Sequence, residues 1–311
     1  MSDQSIRKRL LKYNTPRRVV QLFSFILFSG IVFNLGVLAA LFPVLWTWGL
    51  KTNTVGDAFT AIQLMLSGWN LAYVVFPWIG LASFLIVGVL IGKALCGWVC
   101  PFGFVQDLLG YVRRQQTDLS ARAHETALYG KYVVLALTLF ISVTYSASLL
   151  AGVGTSYHTA LGILATAPFT SFSPSETLFA TIPRLISGFQ FSGNIGSNIL
   201  TGLSGLSALF WVQFAIMILI LAFVIYVPRS FCRYLCPHGA IMAVMNQFSF
   251  IGLHREPFKC EKGGCRNCVL VCPTRVPILD LPWEKFSHAE CIYCMKCVDA
   301  CQHGAIKLTY P

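Results

Sequence analysis

Hydrophobic positions along this chain gather into four long blocks, Val20–Leu41, Ala72–Leu95, Tyr132–Val153 and Leu206–Val227. Each is close to the roughly 20 residues a helix needs to cross the hydrocarbon core of a bilayer. Pro77 and Trp78 mark one side of the second block and Lys93 the other, and the fourth stops at Pro228-Arg229. Four crossings put both ends of the chain on one side. The stretches after the first and third blocks are apolar too. Residues 52–71 carry Ala58, Ile62, Leu64, Met65 and Leu66 near helical spacing, and residues 154–205 carry Phe169, Phe172, Phe179, Phe189 and Phe191 among Ser, Gly and Thr. Short helices lying on or dipping into the outer leaflet are expected there, or a lid over the bundle.

Composition agrees with the blocks. Of 311 residues, 56% are hydrophobic and 11% charged, against about 25% charged in a soluble domain. The net charge of +11 points to nucleic acid only until its distribution is read. Lys and Arg number six in residues 1–19, five in 93–131 and ten in 229–307, whereas loops 43–71 and 154–205 hold only Lys51 and Arg184. Positive charge stays inside. Both termini are therefore expected in the cytoplasm of a multi-pass inner-membrane protein, and no nucleic-acid partner is expected. The basic start, with Arg7, Lys8, Arg9, Lys12, Arg17 and Arg18, reads as a topological anchor at the lipid surface. The apolar run after it is too long for a cleavable signal.

A phrase recurs after the second and fourth blocks. Lys93-Ala-Leu-Cys96-Gly-Trp-Val-Cys100-Pro101-Phe-Gly103 matches Arg229-Ser-Phe-Cys232-Arg-Tyr-Leu-Cys236-Pro237-His-Gly239 in its basic residue, Cys-x3-Cys-Pro and glycine. A duplicated two-helix unit is the simplest account. Residues i and i+4 share a helix face, and a proline that cannot extend one helix suits the first turn of the next. So each cysteine pair closes a span and Pro101 or Pro237 opens a further helix. In residues 101–114, Phe104, Val105, Leu108, Leu109 and Val112 form an apolar stripe for the inner leaflet. If the halves pair, Cys96, Cys100, Cys232 and Cys236 converge, which suits a third iron–sulfur cluster or another thiophilic metal. Buried small residues and a dithiol–disulfide couple are the alternatives.

The C-terminal segment carries the densest chemistry. It reads Cys260-x4-Cys265-x2-Cys268-x3-Cys272-Pro273 and then Cys291-x2-Cys294-x2-Cys297-x3-Cys301. In the bacterial two-cluster arrangement the fourth cysteine of each run serves the other cluster. Cys260, Cys265, Cys268 and Cys301 then hold one [4Fe–4S] cluster, and Cys291, Cys294, Cys297 and Cys272 the second. Zinc sites usually space two CxxC pairs well apart, and a disulfide framework needs an oxidising compartment. The first run has four residues where two are usual, and Gln302 stands where a proline follows the other run. Gly263 and Gly264 can take the turn the longer loop needs.

With Cys-Gly-Trp-Val-Cys-Pro-Phe, Cys-Arg-Tyr-Leu-Cys-Pro-His-Gly-Ala and the two cysteine runs in one chain, the sequence resembles the NapH-type membrane ferredoxins and their relatives NosR and CcoG. That resemblance implies a quinol-dehydrogenase membrane component exchanging electrons with the quinone pool and a partner redox subunit, either a ferredoxin-like protein or a multihaem cytochrome. The architecture expected is membrane α-helical: a basic tail at 1–19, a four-helix membrane domain at 20–253, and a small α+β two-cluster ferredoxin domain at 254–311.

No hydrolase or transferase constellation is present, so the chemistry is electron transfer, with an enzymatic step left open. Quinol oxidation needs a proton acceptor in an apolar pocket. His158, Asp57 and Glu176 are the candidates, all in outer loops. Two rival readings remain: a copper-assembly or copper-reducing factor using the Cys-x3-Cys-Pro thiols, and a cluster-bearing anchor subunit with no substrate of its own.

Overall fold

The structure, a computed structural model, describes residues 13–26, 85–112, 120–162, 173–182, 208–261 and 264–310. Most of the first two apolar blocks, the loop 52–71 and Asp57 lie outside these. Two compact units divide the chain. One joins Met1–Phe25, Leu85–Tyr132 and Val224–Pro311, and the other Ile26–Phe84 and Val133–Phe223.

In chain order the described helices are α1 (13–26), α2 (85–91), α3 (Ala94–Trp98), α4 (Pro101–Leu109), α5 (Ala121–Leu150), α6 (Gly154–Leu161) and α7 (Pro174–Glu176). A π-helical turn, Thr177–Thr181, continues α7. Then come α8 (Ala208–Tyr226), α9 (Ser230–Tyr234) and α10 (Pro237–Asn246). The C-terminal segment adds β1 (Gly252–Arg255), α11 (Asn267–Leu270), α12 (Lys296–Ala300) and β2 (Ile306–Thr309). The strands are antiparallel, with Gly252 opposite Thr309 and Arg255 opposite Ile306. Each cysteine run leads into one short helix, α11 with Cys268 and α12 with Cys297. Leu253, Val276, Ile278, Phe286 and Ile306 pack beneath them.

Among the described residues one helix is long and apolar enough to cross a membrane, Arg122–Leu150 within α5, and Phe210–Tyr226 of α8 is a shorter apolar helix. The helix α5 has its polarity turned outside in. Lys131, Thr138, Ser142 and Ser146 are buried, while Val133, Leu137, Phe140 and Val143 are exposed. Within the apolar stretch 154–205, Gly154–Leu161 and Pro174–Thr181 are helical.

Each repeated phrase is a helix–cap–helix unit. Contrary to the expectation from sequence, the cysteine pair does not itself close the span. A left-handed residue breaks the chain first, Gly92 with φ 58° in one half and Arg229 with φ 54° in the other. The first cysteine then sits on a five-residue helix, α3 or α9. The second cysteine caps the next helix. Cys100 Sγ accepts from Gly103 N and Cys236 Sγ from Gly239 N, both at 3.4 Å, with Pro101 and Pro237 in the first turn. The motif's glycine has a steric cause. A Cβ on Gly103 would stand 2.9 Å from the Cys96 carbonyl oxygen, and one on Gly239 2.8 Å from that of Cys232.

Residues 13–26 are one helix, which carries Arg17 and Arg18 of the basic start. Its Arg17 is fully buried. The Arg17 Nε and Gln21 Nε2 groups both donate to the Gly97 carbonyl at 2.9 Å. Gly97 also lies so close to the second cysteine run that a Cβ would meet the Ile292 carbonyl oxygen at 2.1 Å. Gly97→Ala must therefore push α3 and the Ile292 loop apart. The expected loss is about 1–3 kcal/mol, the usual cost of overpacking, read as a lower midpoint in thermal unfolding of the detergent-solubilised protein.

Candidate metal centres

All twelve cysteines are free, and they fall into three sets. In the first set, Cys268 is pushed up to about 11 by burial, with Cys260, Cys301 and Cys265 close enough to raise it further. Cys301 Sγ accepts from Ala305 N at 3.2 Å. In the second set, Cys272, Cys291, Cys294 and Cys297 line one cavity, walled by Val276 and Ile278. Cys272 Sγ accepts from Val276 N at 3.4 Å. In each set the fourth cysteine of one run lies near the three of the other. Cys297 also feels Cys268, so the two sets adjoin.

In the third set, burial raises Cys100, and Cys232 and Cys96 raise it further. Burial likewise lifts Cys236, next to Cys232 and Cys96, and Cys232 reaches about 11. The duplicated phrases thus bring their sulfurs together. Gln106 Nε2 donates to Cys232 Sγ at 2.8 Å. Uncoordinated, such thiols keep their protons at neutral pH; metal coordination is what deprotonates a buried cysteine.

Iron–sulfur clusters fit this chemistry. The ligand sets are all-sulfur, each carries at least one N–H donor to sulfur, and a largely apolar shell surrounds the second. Hydrogen bonds to sulfur and burial are the levers that set a cluster's potential.

Two buried carboxylates organise the surroundings, and sequence reading singled out neither. Asp107 receives Arg229 through both oxygens, Nε to Oδ1 and Nη2 to Oδ2, each at 2.7 Å. It also pairs with Arg17 and, at 3.3 Å, with Arg18. Arg229 Nη1 then donates to the Cys96 carbonyl at 3.0 Å. Glu290, next to Cys291, pairs with Lys93 at 2.8 Å and with Lys131. Asn246 completes the arrangement. Its Oδ1 accepts from Lys93 N at 2.8 Å, and its Nδ2 donates to the His288 and Cys291 carbonyls. The only sequence cue to the acids was isolation: each is a lone carboxylate in an apolar or cysteine-rich neighbourhood.

His158 is exposed on α6, Glu176 ends α7, and Asp57 lies outside the description.

The comparisons agree with the sulfur geometry. A 4Fe-4S binding domain model matches twice, over residues 73–118 and 208–255, once for each repeated phrase. A 4Fe-4S dicluster domain model matches residues 259–306. This is an iron–sulfur protein with ferredoxin-type 4Fe-4S domains. Its relatives include the ferredoxin-type protein NapH of Escherichia coli, 26% identical over 83% of this chain and 76% of NapH. The methylamine utilization ferredoxin-type protein MauN of Methylobacillus flagellatus is 26% identical over 94% of this chain and 88% of its own. An uncharacterized protein of Methanocaldococcus jannaschii is 26% identical over 72% of this chain and 68% of its own. No solved structure matches.

Electrostatics give a stability prediction for this ferredoxin-type protein. Burial alone would raise the Asp107 carboxyl, but Arg229 and Arg17 outweigh it and hold the group well below the ordinary carboxylate range. A depressed folded value contributes stability that is full above the unfolded value, near pH 4, and is lost as pH falls further. Asp107→Asn leaves Arg17 and Arg229 short of charge in the interior and should cost about 3–5 kcal/mol at pH 7. Thermal midpoints measured from pH 7 to pH 3 should keep a constant gap between the two proteins down to about pH 4 and begin to narrow, without closing, below it.

Proposed function

We propose that the protein is a membrane-embedded relay that takes electrons from quinol and delivers them to a partner redox protein. It spans the cytoplasmic membrane with four helices, its termini and C-terminal segment lying inside. The observation that carries the relay is the crossed convergence of the C-terminal cysteines. On this reading Cys260, Cys265, Cys268 and Cys301 hold one [4Fe–4S] cluster, and Cys291, Cys294, Cys297 and Cys272 hold the other. When bound, the clusters supply one-electron exchange at potentials set by their surroundings.

The chain's own residues do the remaining work. Ala305 N and Val276 N stabilise charge on Cys301 and Cys272 by donating to their sulfurs. Trp98 Nε1 donates to the Tyr293 carbonyl at 2.8 Å and so pins the loop between Cys291 and Cys294 against the first Cys-x3-Cys-Pro phrase. Asn246 does the same from the second phrase.

The inverted polarity of α5 supports the membrane placement. A helix that buries Thr and Ser and exposes Val, Leu and Phe is matched to lipid. The quinol part rests on the likeness to NapH-type ferredoxins, and the partner is a redox protein able to approach the cytoplasmic face.

Anaerobically purified protein in proteoliposomes should show the C-terminal cluster signals by electron paramagnetic resonance after addition of menaquinol or ubiquinol. Silence with every quinol, in protein that dithionite reduces, would remove quinol from the account. Crossed ligation is checked separately. Cys301→Ser should disturb the cluster of the first run and Cys272→Ser that of the second, each with loss of about four irons.

A further inference from the structure

We propose that a cavity between the end of α4 and the C-terminal segment binds the ring of a quinol, with Gln106 and Lys296 meeting its two oxygens. The site rests on the quinol reading above and names where that quinol sits.

The cavity measures about 340 Å³, inside the range of roughly 300–1,000 Å³ usual for small-molecule sites. Gln106, Gly110 and Tyr111 line it from α4 and its C-terminal end, Leu270 and Cys272 from the first C-terminal run, and Lys296 from α12.

The first argument is an unmet acceptor. Gln106 is 1% exposed. Its Nε2 donates to Cys232 Sγ at 2.8 Å, but its Oε1 has no hydrogen-bond partner. A buried oxygen left so is costly, and a ligand hydroxyl satisfies it. The second argument is an unused donor. Lys296 makes no hydrogen bond or ion pair among the described residues, because Asp107, which lines the same cavity, is taken by Arg17, Arg18 and Arg229. A quinol carries two oxygens at opposite ends of one flat ring. One can donate to Gln106 Oε1 and the other accept from Lys296 Nζ.

The third argument is access. Tyr111 and Leu270 line the cavity, yet they are 61% and 79% exposed, so they stand at its mouth. Leu108 and Val112, on either side of Tyr111 in the chain, are exposed too. Arg18 of α1 donates to Tyr111 Oη at 2.9 Å, and α1 also exposes Leu22 and Phe23. A mouth set among exposed apolar side chains admits its ligand from lipid. The fourth argument is position. Cys272, assigned above to the second cluster, forms part of the wall. An apolar cavity of about 210 Å³ beside Trp98 and Tyr293 is a weaker candidate. Its polar groups are engaged, Trp98 Nε1 by the Tyr293 carbonyl and Tyr293 Oη by Ser249 and the Ile251 carbonyl.

Full-length protein in proteoliposomes, photolysed with an azido-ubiquinone, should take up label within residues 106–111 or 270–273. Unlabelled ubiquinol should displace it at lower concentration than ubiquinone, because only the quinol offers a hydroxyl to Gln106. Gly110→Leu narrows the cavity with a side chain that a φ of −62° accommodates. Labelling should then fall about tenfold while iron content and dithionite-reduced spectra stay as in the parent. Lys296→Met removes one hydrogen bond and should raise the ubiquinone concentration for half-displacement about tenfold. Label confined to the wall with Trp98 and Tyr293 or to residues 154–162, or labelling and displacement unmoved in both variants, would overturn the site and leave the quinol reading in place. Ubiquinone displacing the label better than ubiquinol, or displacement by NADH or FMN and not by either, would overturn it as well. If neither ubiquinol nor menaquinol reduces the parent protein, the quinol reading falls and the site with it.

Discussion

The exchange of polar groups between the two repeats is the constraint on which the rest of this unit depends. Arg229 introduces the second cysteine phrase, yet its guanidinium is gripped by Asp107 of the first. Lys93 introduces the first phrase, yet its backbone N–H is held by Asn246 of the second. Each repeat thus secures the entry to the other's cysteines. The grip on Arg229 is a bidentate fork, the strongest geometry available to an arginine and a carboxylate. It must also offset a left-handed backbone at a residue with a side chain, which costs about 1–2 kcal/mol. Buried ion pairs often contribute little net stability, so the gain here is in position. With Arg229 fixed, the Cys96 carbonyl is fixed as well.

From that clasp the metal-binding geometry follows. The five-residue helices α3 and α9 carry one sulfur each, and the caps of α4 and α10 carry the others. Hydrogen bonds from Trp98 and Asn246 then dock the loop of the second C-terminal run against this platform. Gly97 lets that loop approach to backbone contact. Distances between redox centres in such an assembly depend on rigid packing rather than on long side chains. Here the contacts are backbone to backbone or through short, buried donors.

Much of this was legible from residue order, and the remainder for physical reasons was not. Cysteine spacing made the eight C-terminal thiols legible as iron–sulfur ligands, because short turns between ligands aim several sulfurs at one point. The duplicated phrase predicted that Cys96, Cys100, Cys232 and Cys236 would meet, because two copies of one unit tend to pair. Charge counting was only partly right in its meaning. Arg17, Lys93, Lys131, Arg229 and Arg233 add to the basic tally that orients the chain, yet all are buried. Linear sequence does not distinguish a lysine facing phospholipid from one facing a carboxylate 197 positions away. Asp107 and Glu290 escaped notice for the same reason, since each draws its partners from two distant segments. The cysteine pair was expected to close its span directly. The left-handed break before it depends on φ at single residues, which hydrophobic periodicity does not report.

The burial of Arg17 bears on the timing of biosynthesis. This arginine leaves the ribosome early, but it bonds to Gly97 and Asp107, and nearby Tyr13 N reaches Asp299 at 3.2 Å, 286 positions on. The N-terminal helix therefore gains this last contact only after the segment bearing Asp299 has been made. Contacts so distant in sequence form slowly.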